Sequence, residues 1–224
     1  SDAKRCGRAL YAAGLLAWYR GDLKAAEENL TDALGYVRQT ADQRELAAIV
    51  TAIGLVAHRR GELEYAAQCY ERALTLGEQA GDATRILTSL QNIAVAAHQS
   101  GDITRALATY HEAYAMAKAL LQTGRVIQLA ANQGKLWRYL GQYDAARSLL
   151  EQGLELSRSE GNTYLMTLCS LALAEVCLEQ DDLDSANDLL ETCLEHSGVV
   201  EGRVEVIEAM LALSEVKRRQ GDLN

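Results

Sequence analysis

Proline is absent from these 224 residues, and so is phenylalanine. A chain without proline carries no proline-rich linker and no helix-breaking ring, so long uninterrupted helices are open to it. Only two tryptophans are present, and the bulk of the 49% apolar content is alanine and leucine. Alanine has the best helix propensity and lets helix axes approach closely. Basic residues are outnumbered, giving a net charge of −9 and a pI near 5.0. Nucleic acid is therefore excluded as a partner, since binding to phosphate backbones rests on clustered Lys and Arg.

No apolar run approaches the roughly 18 residues that span a bilayer, and nothing at the N-terminus reads as a signal peptide. The five cysteines, Cys6, Cys69, Cys169, Cys177 and Cys193, are odd in number and far apart, with no Cys-x-x-Cys. That excludes a disulfide framework and a zinc site, and leaves reduced, buried thiols in a cytoplasmic protein. Chemistry finds no foothold either. There is no glycine-rich phosphate loop, no His-Glu-x-x-His and no nucleophile elbow, so no enzyme and no cofactor are expected.

What is present is repetition. The phrase Gly61-Glu62-Leu63 with Ala66, Tyr70 and Ala73 recurs from Gly21, Gly101, Gly141, Asp181 and Gly221, at a spacing of 40 residues. A fixed period between about 20 and 50 residues signals a solenoid. Apolar residues recur at helical spacing on both sides of each turn. The expected helices cover about 5–20 and 22–39, 42–60 and 62–80, 83–100 and 102–121, 124–140 and 142–160, 162–180 and 182–197, and 201–220. The reading is all-α: five helical hairpins plus one further helix. It forms a single array over 1–224, with repeats at about 3–40, 41–80, 81–121, 122–161, 162–199 and 200–224. Gly81, Gly124, Gly161 and Gly198 mark the expected breaks between hairpins.

Seven residues before each turn stand Gly14, Gly54, Ala94, Gly134 and Ala174; five after it stand Ala26, Ala66, Ala106, Ala146 and Ala186. These small residues are expected to face one another where the helices of a hairpin cross. Large residues follow nine after the turn: Leu30, Tyr70, Tyr110, Leu150 and Leu190. This pattern resembles the tetratricopeptide repeat over essentially the whole chain. Two departures stand out: the family's usual Trp and Pro are missing, and the period is 40 rather than 34. The longer form is similar to repeats of kinesin light chains, spindle-orientation adaptors and bacterial ATPase-type regulators.

The resemblance implies a right-handed superhelix whose first helices line a concave groove. It also implies an adaptor or sensor rather than a catalyst. Groove positions lie about 10, 9, 6, 3 and 2 residues before each turn, which selects Tyr11, Trp18, His58, Arg59, Gln91, Asn92, His98, Gln99, Asn132, Lys135, Arg138 and Tyr139. Asn92 and Asn132 occupy equivalent positions, and a carboxamide can both donate to and accept from an extended peptide's backbone. The longer-period relatives hold peptides through such an asparagine ladder. Arg59, Lys135 and Arg138 are suited to a ligand carboxylate or phosphate. Tyr11 and Trp18 suggest an aromatic anchor. His58 and His98 are equivalent too, but no carboxylate or thiolate at suitable spacing supports a metal there.

These features make the expected partner a protein or peptide segment. The alternatives are a small-molecule-sensing repeat domain and a self-association module acting through the terminal helices. The last copy, Gly221-Asp222-Leu223-Asn224, stops at its first turn. That suggests a longer parent protein, or an end packed on another copy.

Overall fold

The computed structural model describes residues 2–38, 42–197 and 204–221. Eleven helices and no strand occur among the described residues. They are α1 (Asp2–Tyr19), α2 (Leu23–Arg38), α3 (Gln43–Arg59), α4 (Leu63–Gln79), α5 (Ala83–Gln99) and α6 (Ile103–Ala119), then α7 (Thr123–Tyr139), α8 (Tyr143–Ser159), α9 (Thr163–Glu179), α10 (Leu183–Ser197) and α11 (Val204–Gln220). The helix boundaries fall within three residues of those expected.

One turn design joins them. Among the described helix ends, the residue that follows the last turn takes a left-handed conformation: Gly21, Gly61, Gly81, Gly101, Leu121, Gly141, Gly161 and Asp181, with Gly221 alike. In each of the first eight its N–H reaches back three residues, and the next N–H reaches back five. Examples are Gly61 N to His58 O at 3.0 Å and Glu62 N to Ala57 O at 3.0 Å. This is the Schellman closure. That next residue then opens the following helix. Asp22, Asp42, Asp82, Asp102, Asn162 and Asp182 each accept a hydrogen bond from the N–H three residues on.

The same device therefore serves turns within hairpins and between them, and the 40-residue period is two near-equal halves. One expected break is corrected here. Gly124 lies inside α7, and the stop before it is Leu121, at φ 53°. Gly198, and Asp222 to Asn224 of the last copy, lie outside the described residues.

The chain divides into two compact units, Ser1–Ala113 and Tyr114–Asn224, with the boundary inside α6. Within the first unit α1, α3 and α5 touch in succession, whereas α2 and α4 do not reach one another. In the second, α7, α9 and α11 touch in succession and α8 and α10 stay apart. First helices thus form the inner layer of each unit and second helices the outer. In the second unit a cluster of buried residues surrounds α9, including Cys169, Leu171, Val176, Leu150 and Leu190. α9 is apolar on nearly every face, as a helix flanked on all sides must be. The terminal helix α11 leaves Ile207, Met210 and Leu211 more than half exposed, while Leu213 packs on the core.

The crossing adds a large residue to the expected small ones. A Cβ on Gly14 would meet Leu30 Cγ at 2.7 Å, one on Gly54 would meet Tyr70 Cε1 at 2.6 Å, and one on Gly134 would meet Leu150 Cγ at 2.5 Å. The large residue nine past the turn lies over the small one. At Gly14 the alanine five past the turn also lies close, with Ala26 O at 3.3 Å. The space freed by a missing side chain is filled by the nearest side chain long enough to reach it.

Candidate ligand-binding face

The candidate residues all lie on first helices. Tyr11, Trp18, His58, Arg59, Gln91, Asn92, His98 and Gln99 belong to the first unit, and Asn132, Lys135, Arg138 and Tyr139 to the second. Each group is taken in its own unit.

Trp18 is part of the wall between α1 and α3 rather than an open pocket. It packs against the cluster of Ala26, Leu30, Ala52 and Val56, and its Nε1–H donates to Leu55 O at 3.3 Å. Arg59 Nη1 donates to Trp18 O at 2.6 Å, with its guanidinium 4.9 Å from the Trp18 ring centre. Carbonyls at a helix C-terminus attract cations, and the indole face adds to the hold. The second unit repeats the contact at the same register, where Arg219 Nη1 donates to Leu178 O at 3.2 Å. Arg59 therefore joins successive hairpins. Tyr11 packs against the cores of both the first hairpin and α3.

Gln91 is buried, at 6% exposure, so it does not line an open face. His98 is half-buried and Gln99 exposed. Burial pushes the half-buried His58 imidazole below its ordinary value, and the neighbouring Gln99 side chain offsets part of this. His58 Nε2 is buried without a hydrogen-bond partner among the described residues. No group of three or more His, Cys, Asp or Glu side chains is placed to hold a metal among the described residues.

In the second unit Arg138 lies between two carboxylates of the next first helix. Its Nη2 is 3.2 Å from Glu175 Oε2 and its Nη1 3.3 Å from Glu179 Oε1. The guanidinium is thus neutralised within the protein. Lys135 is half-buried and forms no ion pair among the described residues, and Tyr139 is 71% exposed.

Among the described residues Asn92 and Asn132 lack hydrogen-bond partners, a state that the Asn187 Oδ1 atom on α10, a second helix of its hairpin, shares. Each is half-buried on the inner layer of its unit, and neither makes a hydrogen bond among the described residues. By contrast Asn29 Nδ2 donates to Ala25 O at 2.7 Å, and Asn162 Oδ1 caps α9. Both carboxamides keep donor and acceptor available at the same register of their hairpins.

Hairpins with small residues at their crossings, stacked with first helices inward, define a tetratricopeptide repeat protein. The chain belongs to the family of the MalT-like TPR (tetratricopeptide repeat) region, whose model matches residues 7–224. No curated protein matches the sequence. Among solved structures it is similar to BtubC (BKLC) from P. vanneervenii, at 21% identity and TM-score 0.75, covering 90% of this chain and 83% of that one. A signal-transduction ATPase with numerous domains and a tetratricopeptide repeat sensor, from Pyrococcus horikoshii, matches 95% of this chain with 32% of its own, at 14% identity and TM-score 0.79. NprR in complex with its cognate peptide NprX matches 97% of this chain with 63% of its own, at 14% identity and TM-score 0.73. These likenesses concern the fold. No described helix is long and apolar enough to cross a membrane.

Proposed function

We propose that the chain is a non-catalytic regulatory scaffold that holds a peptide or protein segment against its first helices, in the cytoplasm. The observation that carries this reading is that each unit holds an unpaired carboxamide on its first helices, Asn92 in the first unit and Asn132 in the second, each at the same register of its own hairpin. A carboxamide pairs with both the C=O and the N–H of an extended backbone, so it binds a peptide with little regard to its side chains. Lys135 supplies a cation for a carboxylate on the bound segment. Arg138 and Arg59 are committed to internal partners, and their part is to hold those helices in place. The fold shared with NprR, a protein solved with its cognate peptide, supports the same reading.

The test compares capture from the source lysate by the parent chain and by an Asn92→Ala, Asn132→Ala variant of equal helicity. A partner held by the parent should be lost or weakened about tenfold or more, since each substitution removes up to two hydrogen bonds. Equal capture by both proteins overturns the reading.

A second reading, a small-molecule sensor, draws on a cavity of about 230 Å³ on the first unit's inner side, lined by Gly7, Arg8, Tyr11, Val37, Glu45, Ala48, Ile49 and Arg85. Capture of no macromolecule by the parent would favour it.

A further inference from the structure

Beside the second helices of the first unit lies a feature that is nearly closed at the equivalent place in the second unit. Between α2 and α4, across α3, lies a cavity of about 350 Å³ whose lining includes Leu34, Leu46, Val50 and Ile53, with Arg38 and Arg72 on the same wall. A neighbouring cavity of about 570 Å³ shares Leu46 and Arg72 with it and extends along α4 to Gln79. From Tyr65 to Gln79 the trough follows α4 for about four turns, or roughly 21 Å.

The repeat supplies its own control. Counted from their turns, Leu154, Arg158, Met166, Ser170 and Thr192 stand where Leu34, Arg38, Leu46, Val50 and Arg72 stand in the first unit. There the cavity is only about 10 Å³. Met166 replaces Leu46 and Leu189 replaces Cys69, and both longer side chains pack on the core and fill the slot. The charges differ as well. Arg158 Nη1 lies 4.0 Å from Glu155 Oε2 of its own helix, and Thr192 Oγ1 donates to its own helix at Asp188 O. Arg38 and Arg72 are exposed and have no carboxylate partner among the described residues, whereas Arg60 and Arg105 of the same unit are paired with Glu27 and Glu71. The open, doubly cationic slot is therefore a property of the first unit's residues, not of the fold.

We propose that this slot is a second docking site, for an acidic amphipathic peptide segment of a partner protein. Its aliphatic side chains would sit on the Leu34, Leu46, Val50 and Ile53 surface, with a carboxylate between Arg38 and Arg72. Charge complementarity selects an acidic occupant, because two unpaired guanidiniums over an apolar floor match a carboxylate beside an aliphatic group. The length of the trough selects a linear segment, since a compact carboxylate would leave most of it uncovered. The site lies between α2 and α4 over α3, includes none of the candidate inner-layer residues, and does not depend on the inner-layer reading.

The experiment pans a phage-displayed library of random peptides of about 15 residues, enough for four helical turns, against the whole chain. Recovered peptides are then measured by fluorescence anisotropy against three variants. Arg38→Glu with Arg72→Glu reverses the charge at exposed positions. Leu46→Met, Cys69→Leu and Arg72→Thr together import the closed slot of the second unit. Asn92→Ala with Asn132→Ala removes the inner-layer carboxamides. The expected peptides combine Asp or Glu with aliphatic residues at helical spacing. They should bind the charge-reversed and closed variants at least about tenfold more weakly and the asparagine variant as they bind the parent. Lysine in place of their acids should restore binding to the charge-reversed variant.

Failure to recover acidic, aliphatic peptides overturns the proposal, as does undiminished binding to the charge-reversed variant. It is equally overturned if the slot takes dodecanoate but no peptide, or if the parent alone forms a dimer that the closing substitutions dissolve. Those results would assign the slot to a fatty carboxylate or to a second copy.

Discussion

A glycine at a helix crossing is defined by what lies over it. Leu150, fully buried, brings three side-chain carbons within 3.0 Å of the place where a Cβ on Gly134 would stand. Gly134→Ala must push α7 and α8 apart or force Leu150 from its rotamer, a loss of about 1–3 kcal/mol for overpacking. Urea unfolding of the variant measures it, and an unchanged midpoint would refute the close fit. The smallness of this position is legible in the sequence, because Gly14, Gly54, Ala94, Gly134 and Ala174 repeat it. Its neighbour is not, because pairing small with small ignores how far a leucine or tyrosine reaches. Individual partners are harder still. Nothing in residue type distinguishes Arg59 bound to a helix end, Arg138 held between carboxylates, and Lys135 left without an ion pair. Those outcomes depend on rotamers and on which residues the next hairpin brings alongside. The one available signal concerns the outer slot: Arg158 has Glu155 three residues before it, whereas Arg38 and Arg72 have no acid three or four residues away on their own helices.

At the scale of the element, the turn is the unit that the chain copies. A helix of 17 residues recurs from α3 to α9, and the residue that closes one helix is followed by the one that opens the next. The helices and the turns within hairpins follow from the sequence, since glycine and aspartate repeat there at fixed spacing. The break after α6 does not, because the left-handed place is taken by Leu121, which no turn preference favours, and Gly124 diverts the reading. A non-glycine residue in this conformation costs about 1–2 kcal/mol, partly offset by the lower unfolded-chain entropy that it confers. Leu121 is 87% exposed, so replacing it removes little packing. Leu121→Gly is thus expected to stabilise the protein by about 1 kcal/mol, seen as a higher urea midpoint at unchanged slope. A lower midpoint would show that the exposed leucine makes contacts worth more than the strain.

For the whole molecule, cohesion is uneven, and the cysteines report it. Cys6 is exposed, whereas Cys69, Cys169, Cys177 and Cys193 are buried. Burial raises all four buried thiols, pushing Cys169 up to about 12 and Cys193 up to about 11. Since the thiolate is the nucleophile, the native chain should react quickly with a thiol reagent only at Cys6. Nineteen buried residues of the second unit, three of these cysteines among them, form one continuous cluster. Cys69, by contrast, lies in a cluster of five buried residues beside the open slot. In a repeat array each segment is stabilised by its neighbours alone, so segments with less shared burial open first. Pulsed alkylation at rising urea, read by mass spectrometry, should label Cys69 before Cys169, Cys177 and Cys193. Simultaneous labelling of all four would instead mean that the array opens as one cooperative body.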